Sequence, residues 1–194
     1  FGRQWALVDI SLAITPGTSL AIMGPNGCGK STLLKILATR LTPTLGEGKI
    51  LNQNLRKDIQ EVRPDIEWLG HAFGLYKNLS VEENLEFTLK LKGKKPDKKK
   101  IENALQKVGL LKKSMELASS LSAGQAKRLA LGRILLENPK LILLDEPHTN
   151  LDKEGRVLIN ELMTGWKREG KTICMASHDQ AEVAPLADQI IQLN

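Results

Sequence analysis

Cysteine is nearly absent from the chain: Cys28 and Cys174 are the only two, 146 positions apart. That excludes a disulfide scaffold, offers no metal-ligand spacing, and makes a reducing compartment the expected setting. Long apolar runs are missing too. The densest, Leu141–Leu144 and Leu110–Leu111, fall far short of the roughly 18 consecutive apolar residues that a membrane-spanning helix needs. Aromatic residues make up only 4%, too few to interleave rings with basic residues as a single-stranded nucleic-acid surface does. Nor is there a surplus of charge spread along the chain. Against 22 acidic residues stand 28 basic ones, a net +6, but residues 90–113 hold ten lysines and only Asp97 and Glu102, a local +8 that leaves −2 elsewhere. This run, with Gly93 and Pro96 at its centre, reads as a solvated loop between two helices, and no nucleic-acid partner is expected.

What is present describes a globular chain. Apolar residues at 41% and charged ones at 26% exclude disorder, and 194 residues suit one domain or one core with a grafted subdomain. The first residue is Phe1 rather than Met, so the natural start is expected upstream, with room for a targeting segment.

The short apolar run Ser19–Met23 is followed by a glycine-rich stretch and then by Lys30–Leu41, where Leu33, Leu34, Leu37 and Leu41 recur at helical spacing. The order is strand, loop, helix. Leu141–Leu144, bounded by Pro139 and Pro147, is too short for a helix and reads as a strand buried on both faces of a parallel sheet. Thr172–Ala176 and Gln189–Leu193 read the same way. Lys153–Glu169 places Leu158, Leu162 and Trp166 on one helical face and stops at Gly170. Strands alternating with helices imply an α/β sheet. From about Ser80 to Asn138 the alternation breaks, leaving helical patterns alone: Ser80 with Glu83 as a capping box, Ile101–Val108 and Ala126–Leu136. A helical insertion into an α/β core is expected, and no internal repeat is visible.

Gly24-Pro-Asn-Gly-Cys-Gly-Lys30-Ser31 fits the spacing G-x-x-x-x-G-K-[ST] and lies between the predicted strand and helix, where that spacing has meaning. Glycines let the N–H groups of Gly24, Asn26, Gly27, Cys28 and Gly29 turn inward around phosphate oxygens. The helix beginning near Lys30 adds its positive dipole end, and Lys30 a full charge. Ser31 supplies a hydroxyl for Mg²⁺, with Thr32 beside it, so ATP and Mg²⁺ are the expected ligands. Leu141–Leu144 runs directly into Asp145, Glu146 and Pro147. Side chains alternate at a strand end, so one carboxylate can serve the Mg²⁺ shell while the other reaches an attacking water.

With Leu121-Ser122-Ala123-Gly124-Gln125 followed by Lys127 and Arg128, the sequence resembles the ATP-binding cassette family, whose signature this stretch matches except for Ala123 in place of a more usual glycine. Other P-loop families lack it. In physical terms Ser122 and Gly124 open a helix whose free N–H groups can bind an anion. The resemblance implies that this anion is the γ-phosphate held by a second protomer, with Gln125 in the same turn. It covers essentially the whole chain and implies an α/β P-loop NTPase (RecA-like) core with a parallel sheet. A small antiparallel β region would lie at the N-terminus. The core would span 1–78 and 137–194, around a helical subdomain at about 79–136. It also places Phe1 as the aromatic that stacks on adenine, against the plain reading of a terminal hydrophobe. His178, after the strand that follows the acidic pair, becomes the γ-phosphate contact, against a structural histidine. Thr149–Asp152 resembles the loop that crosses the dimer interface, while Asp152 also suits the N-cap of the next helix.

One departure concerns His71, which stands where most members carry a glutamine that joins Mg²⁺ and phosphate to the membrane partner. An imidazole there either approaches the metal or only contacts the partner and packs locally. The Gly70-His71 context, the Ser-Ala-Gly-Gln signature and the short chain resemble the ATPase subunit of the haem exporter in cytochrome c maturation. The expectation is therefore an ATPase at the cytoplasmic face of a membrane, pairing with a second cassette, a homodimer being expected, and with integral membrane subunits. Lys30, Glu146 and His178 would carry the chemistry, and Ser31, Asp145 and His71 would surround the metal. The rival is a soluble cassette ATPase acting on ribosomes or DNA, though such proteins usually carry tandem cassettes or a long coiled-coil insertion, and neither is visible.

Overall fold

The computed structural model describes residues 5–57 and 59–193. In chain order the elements are β1 (Ser19–Met23), α1 (Lys30–Leu37), β2 (Lys49–Ile50), β3 (Gln53–Asn54), α2 (Ile59–Val62), β4 (Ile66–Leu69), α3 (Val81–Leu91), α4 (Lys98–Lys107), α5 (Ala123–Glu137), β5 (Leu141–Asp145), α6 (Lys153–Arg168), β6 (Thr172–Ser177), α7 (Gln180–Val183) and β7 (Gln189–Gln192). They fall into two compact units. One holds the stretch ending at His71, Pro139–Pro147 and the chain from Ile159 onward; the other holds Ala72–Asn138 and His148–Leu158.

The first unit is an α/β core. Its five strands run β4-β5-β6-β1-β7, every pair parallel. β1 and β5 are buried at every position, the near-continuous apolar pattern of strands covered on both faces. Leu20, Ile22, Leu141, Leu143, Cys174 and Ala176, alternate residues of the central strands, form one cluster with Leu33 and Leu34 of α1. β4 was not legible as a strand, because its sequence Ile-Glu-Trp-Leu is short and interrupted by a charge. The small antiparallel pair, β2 with β3, lies within the N-terminal third of the chain. Residues 5–18 form no strand.

Two helices depart from their expected pattern. α1 stops at Leu37 rather than Leu41: Thr39 turns to φ 57°, the N–H groups of Arg40 and Leu41 both fold back to Lys35 O, and Pro43 cannot continue a helix. On α6 the buried stripe is Ile159, Met163 and Trp166, one residue round from the expected Leu158–Leu162 face, and those two leucines are half-buried. The α6 end is as read, with Gly170 at φ 76° and bonds from Gly170 N–H to Lys167 O and Lys171 N–H to Trp166 O closing the turn.

The second unit is helical. α3 begins at Ser80, whose hydroxyl accepts from Glu83 N–H while Glu83 carboxylate accepts from Ser80 N–H. α4 buries Ile101, Ala104 and Leu105, and α5 buries Leu129, Leu131 and Ile134. Among described residues 80–138 there is no strand, only an isolated bridge between Ser80 and Leu117. The lysine run is less solvated than its composition implies. Lys92 and Lys94 reach the buried Glu137 carboxylate at 3.0 and 3.1 Å, because a carboxylate at the negative end of α5 needs cations when it leaves water. Residues 148–158 also belong to this unit, a return that the sequence does not signal.

Candidate functional site

Because the strands are parallel and in register, their carboxyl ends deliver functional side chains along one edge, where open α/β sheets bind ligands. Met23 pairs with Ser177, Asp145 with Ala176, and Leu69 with Leu144. The chain continues from them into Gly24, His178, Glu146 and Gly70-His71.

After β1 the glycine-rich loop opens α1. Gly29 is its N-cap at φ 102°, with no side-chain cap and no acid in the first turn, so the N–H groups of that turn could receive an anion with the helix dipole behind them. No other residue fits: a Cβ would lie 2.5 Å from Ala6 O. Lys30 is buried and donates to Gly24 O at 2.7 Å and Pro25 O at 3.0 Å. The loop thus holds its own ammonium over the turn. Asn26 and Gly27 are exposed, and Cys28, Ser31 and Thr32 half-buried. Phe1, the expected adenine platform, lies outside the described residues.

Ser31 Oγ donates to Asp145 Oδ1 at 3.1 Å, across 114 positions of sequence. Asp145 Oδ2 is buried with no hydrogen-bond partner, and His71 Nε2 stands 3.8 Å from it. A buried, orphaned carboxylate oxygen beside a hydroxyl is a hard oxygen pair that fits Mg²⁺, which takes one or two protein oxygens and completes its shell with phosphate and water. Among the described residues no three His, Cys, Asp or Glu side chains converge as a closed metal site. His71 is 74% exposed. It comes close to Asp145, and its range to the carboxylate is long for a hydrogen bond.

Glu146 points elsewhere. Its backbone is left-handed, φ 50°, while its N–H still bonds Ala176 O at 2.9 Å. The ladder is kept, and the carboxylate leaves the strand's alternation to meet His178 Nδ1, 3.0 Å from both Oε1 and Oε2. Two groups expected at the γ-phosphate therefore meet each other.

The remaining candidates lie in the helical unit. Ser122 and Gln125 are committed to one another: Ser122 Oγ accepts from Gln125 N–H and Gln125 Oε1 from Ser122 N–H, a capping box that opens α5. The N–H groups of Ala123 and Gly124, first in the helix, have no intrahelical acceptor. Asp152 Oδ1 accepts from Gly155 N–H at 2.8 Å and Arg128 at 2.7 Å. The Gly155 bond, and after it Arg128, holds the carboxyl below its ordinary range. Sequence reasoning gave Lys127 no role beyond following the signature turn; it is buried and donates to Thr149 O at 2.7 Å. The signal was there: Lys127 falls at i−4 and i−7 from the buried Leu131 and Ile134, on the apolar face of α5.

Comparison with known proteins agrees with this geometry. The family model described as ABC transporter matches residues 7–149. The maltose/maltodextrin import ATP-binding protein MalK of Salmonella paratyphi A is 39% identical over 96% of this chain and 51% of its own length. The spermidine/putrescine import ATP-binding protein PotA of Pseudomonas aeruginosa is 36% identical over 100% of this chain and 54% of its own. The chain thus spans about half the length of the curated relatives it matches. Among solved structures, the ATP-binding cassette MJ0796, a dimer in a post-hydrolysis state bound to ADP and Pi, superposes with a TM-score of 0.90 at 31% identity, covering 100% of this chain and 89% of that one.

Proposed function

Since the chain belongs to the ATP-binding cassette (ABC) transporter family, we propose that it is the ATP-hydrolysing subunit of a membrane transporter, working as a head-to-tail pair of cassettes with an ATP between each P-loop and the opposite signature turn. The single observation that supports this reading is at the carboxyl ends of three neighbouring strands: Asp145 and Glu146 at β5, His178 after β6, and after β1 the loop that opens α1 at Lys30 and Ser31. The P-loop amides and Lys30 hold the phosphates. Ser31 and Asp145 hold Mg²⁺, which when bound neutralises charge on the phosphate oxygens. Glu146 orients and polarises water, and His178, released from Glu146, donates to the transferring group. Ser122, Gly124 and the free amides of α5 complete the site from the second copy. His71 lies at the metal side.

Among the described residues no helix is long and apolar enough to cross a membrane, and attachment at the cytoplasmic face would come through integral membrane subunits. For the cargo we favour haem export in cytochrome c maturation, supported by Gly70-His71 and by the Ser122–Gln125 turn. A second reading, an importer cassette, is favoured by the names of the relatives.

Glu146→Gln should keep ATP binding, stop hydrolysis, and accumulate an ATP-bound dimer visible by light scattering. A variant that binds ATP but stays monomeric at high concentration argues against the shared site. Copurification of the tagged chain from solubilised membranes separates the cargo readings by its membrane partner, and a ribosomal or nucleic-acid companion would overturn both.

A further inference from the structure

In the helical unit, the loop that follows the acidic pair lies along the first turns of α5 and is held there at three successive points. Lys127 Nζ donates to Thr149 O at 2.7 Å. Asn150 O lies so close to Gly124 that a Cβ on that glycine would stand 3.1 Å from it. Arg128 donates to Asp152 Oδ1 at 2.7 Å. The loop is also built for this path: Asn150 is left-handed at φ 62°, Leu151 is buried, and Asp152 caps α6 through Gly155 N–H.

The arrangement is unfavourable for α5 taken alone. Lys127 and Arg128 lie in the second turn of α5, two adjacent cations with no acid in the first turn. Lys127 is also 3% exposed, and an ammonium leaves water only when hydrogen-bonded. Holding the loop is what these two charges obtain in return.

Resting on the proposed head-to-tail pairing, we propose that Lys127 and Arg128 are positioning residues. They fix the loop Thr149–Asp152 onto the amino end of α5, so that the signature turn and the loop face a second copy of this chain as one preassembled surface. Neither side chain need touch nucleotide. Loosening the clamp leaves phosphate binding at the P-loop intact and weakens only the step in which two copies close, because each loop must then be ordered at the moment of association.

The test uses the full chain carrying Glu146→Gln, with MgATP-driven dimerisation followed by light scattering and ATP binding to the monomer followed separately. Arg128→Asp should weaken dimerisation by about two- to fivefold, the range for an exposed ion pair; Asp152→Arg, which also loses the cap on α6, should weaken it more, and the double variant should be less impaired than Asp152→Arg alone. Lys127→Met should weaken it by about tenfold or more, since the Thr149 carbonyl loses its charged donor, with recovery in Lys127→Arg. Monomer ATP affinity should stay within about twofold of the parent throughout. Arg128 variants keep the test open if Lys127→Met does not fold. Faster amide hydrogen exchange at residues 149–157 of monomeric Arg128→Ala is expected as well. Unchanged dimerisation in the Arg128 and Lys127 variants, or a double charge swap weaker than Asp152→Arg alone, would overturn the clamp while leaving the ATPase reading standing. If the Glu146→Gln parent itself binds ATP without dimerising, the pairing falls, and the clamp with it.

Discussion

Glu146 sits at φ 50°, where a residue with a Cβ is disfavoured by about 1–2 kcal/mol. Comparing Glu146→Ala with Glu146→Gly isolates that strain, since both lose the carboxylate and its contact with His178, and they differ in the Cβ and in unfolded-chain entropy. At an unstrained position alanine is the more stable by about 0.5–1 kcal/mol. At position 146 the left-handed penalty opposes this and exceeds it, so the glycine variant should be the more stable by roughly 0.5–1 kcal/mol. For a chain of this size that is a rise of about 1–4 °C in Tm. Gly165 supplies a control of opposite sign. It lies inside α6, a Cβ there meets nothing within 4 Å, and Gly165→Ala should stabilise by about 0.5–1 kcal/mol. The assay is urea and thermal unfolding by circular dichroism without nucleotide, with ATP hydrolysis lost in both position-146 variants. Should Glu146→Ala prove as stable as Glu146→Gly while Gly165→Ala behaves as expected, the carboxylate is not held in a strained backbone and the account of its orientation is wrong.

Alkylation of the native protein should modify Cys28, half-buried in the phosphate loop, and ATP should protect it; Cys174 is fully buried, its thiol pushed upward by burial, and label found mainly there by peptide mapping would contradict the placement. His71→Gln should lower the ratio of Mn²⁺- to Mg²⁺-supported hydrolysis in the assembled transporter, because an imidazole nitrogen suits borderline metals better than Mg²⁺; equal ratios would remove His71 from the metal site. Asp188 is held at about 2 by Lys167 first and by Ser19 N–H next. Its folded value lies below its unfolded one near 4, so it stabilises the fold above about pH 4 and loses that contribution as pH falls toward about 2. Asp188→Asn should flatten the acid limb of stability in that window, and an unchanged limb would discount the Lys167 and Ser19 contacts.

The parts of the fold and site legible in the sequence are those whose signals lie close together along the chain. Strands β1, β5 and β6 announce themselves as short apolar runs because both their faces are covered. The phosphate loop is legible because left-handed backbone demands glycine at fixed spacings, and the capping box at Ser80 because donor and acceptor stand three residues apart. β4 was missed because a four-residue edge strand carrying Glu67 has no period to read. The buried stripe of α6 was placed one residue out because Leu158, Ile159, Leu162 and Met163 offer two adjacent apolar faces, and only the neighbour decides which is covered.

By itself the sequence singled out Lys30, Ser31 and Asp145 as the candidates for phosphate and metal, since their chemistry is local and their spacing carries it. The tertiary structure decided what each of the others faces. Glu146 meets His178 through a left-handed turn that no propensity predicts, and Asp145 keeps one carboxylate oxygen unpartnered only because Ser31, 114 positions away, takes the other. Lys127 can be buried because Thr149 O arrives to accept its hydrogen bond. Partner choice between distant segments depends on how the whole chain packs, and no short window of sequence contains both halves of the contact.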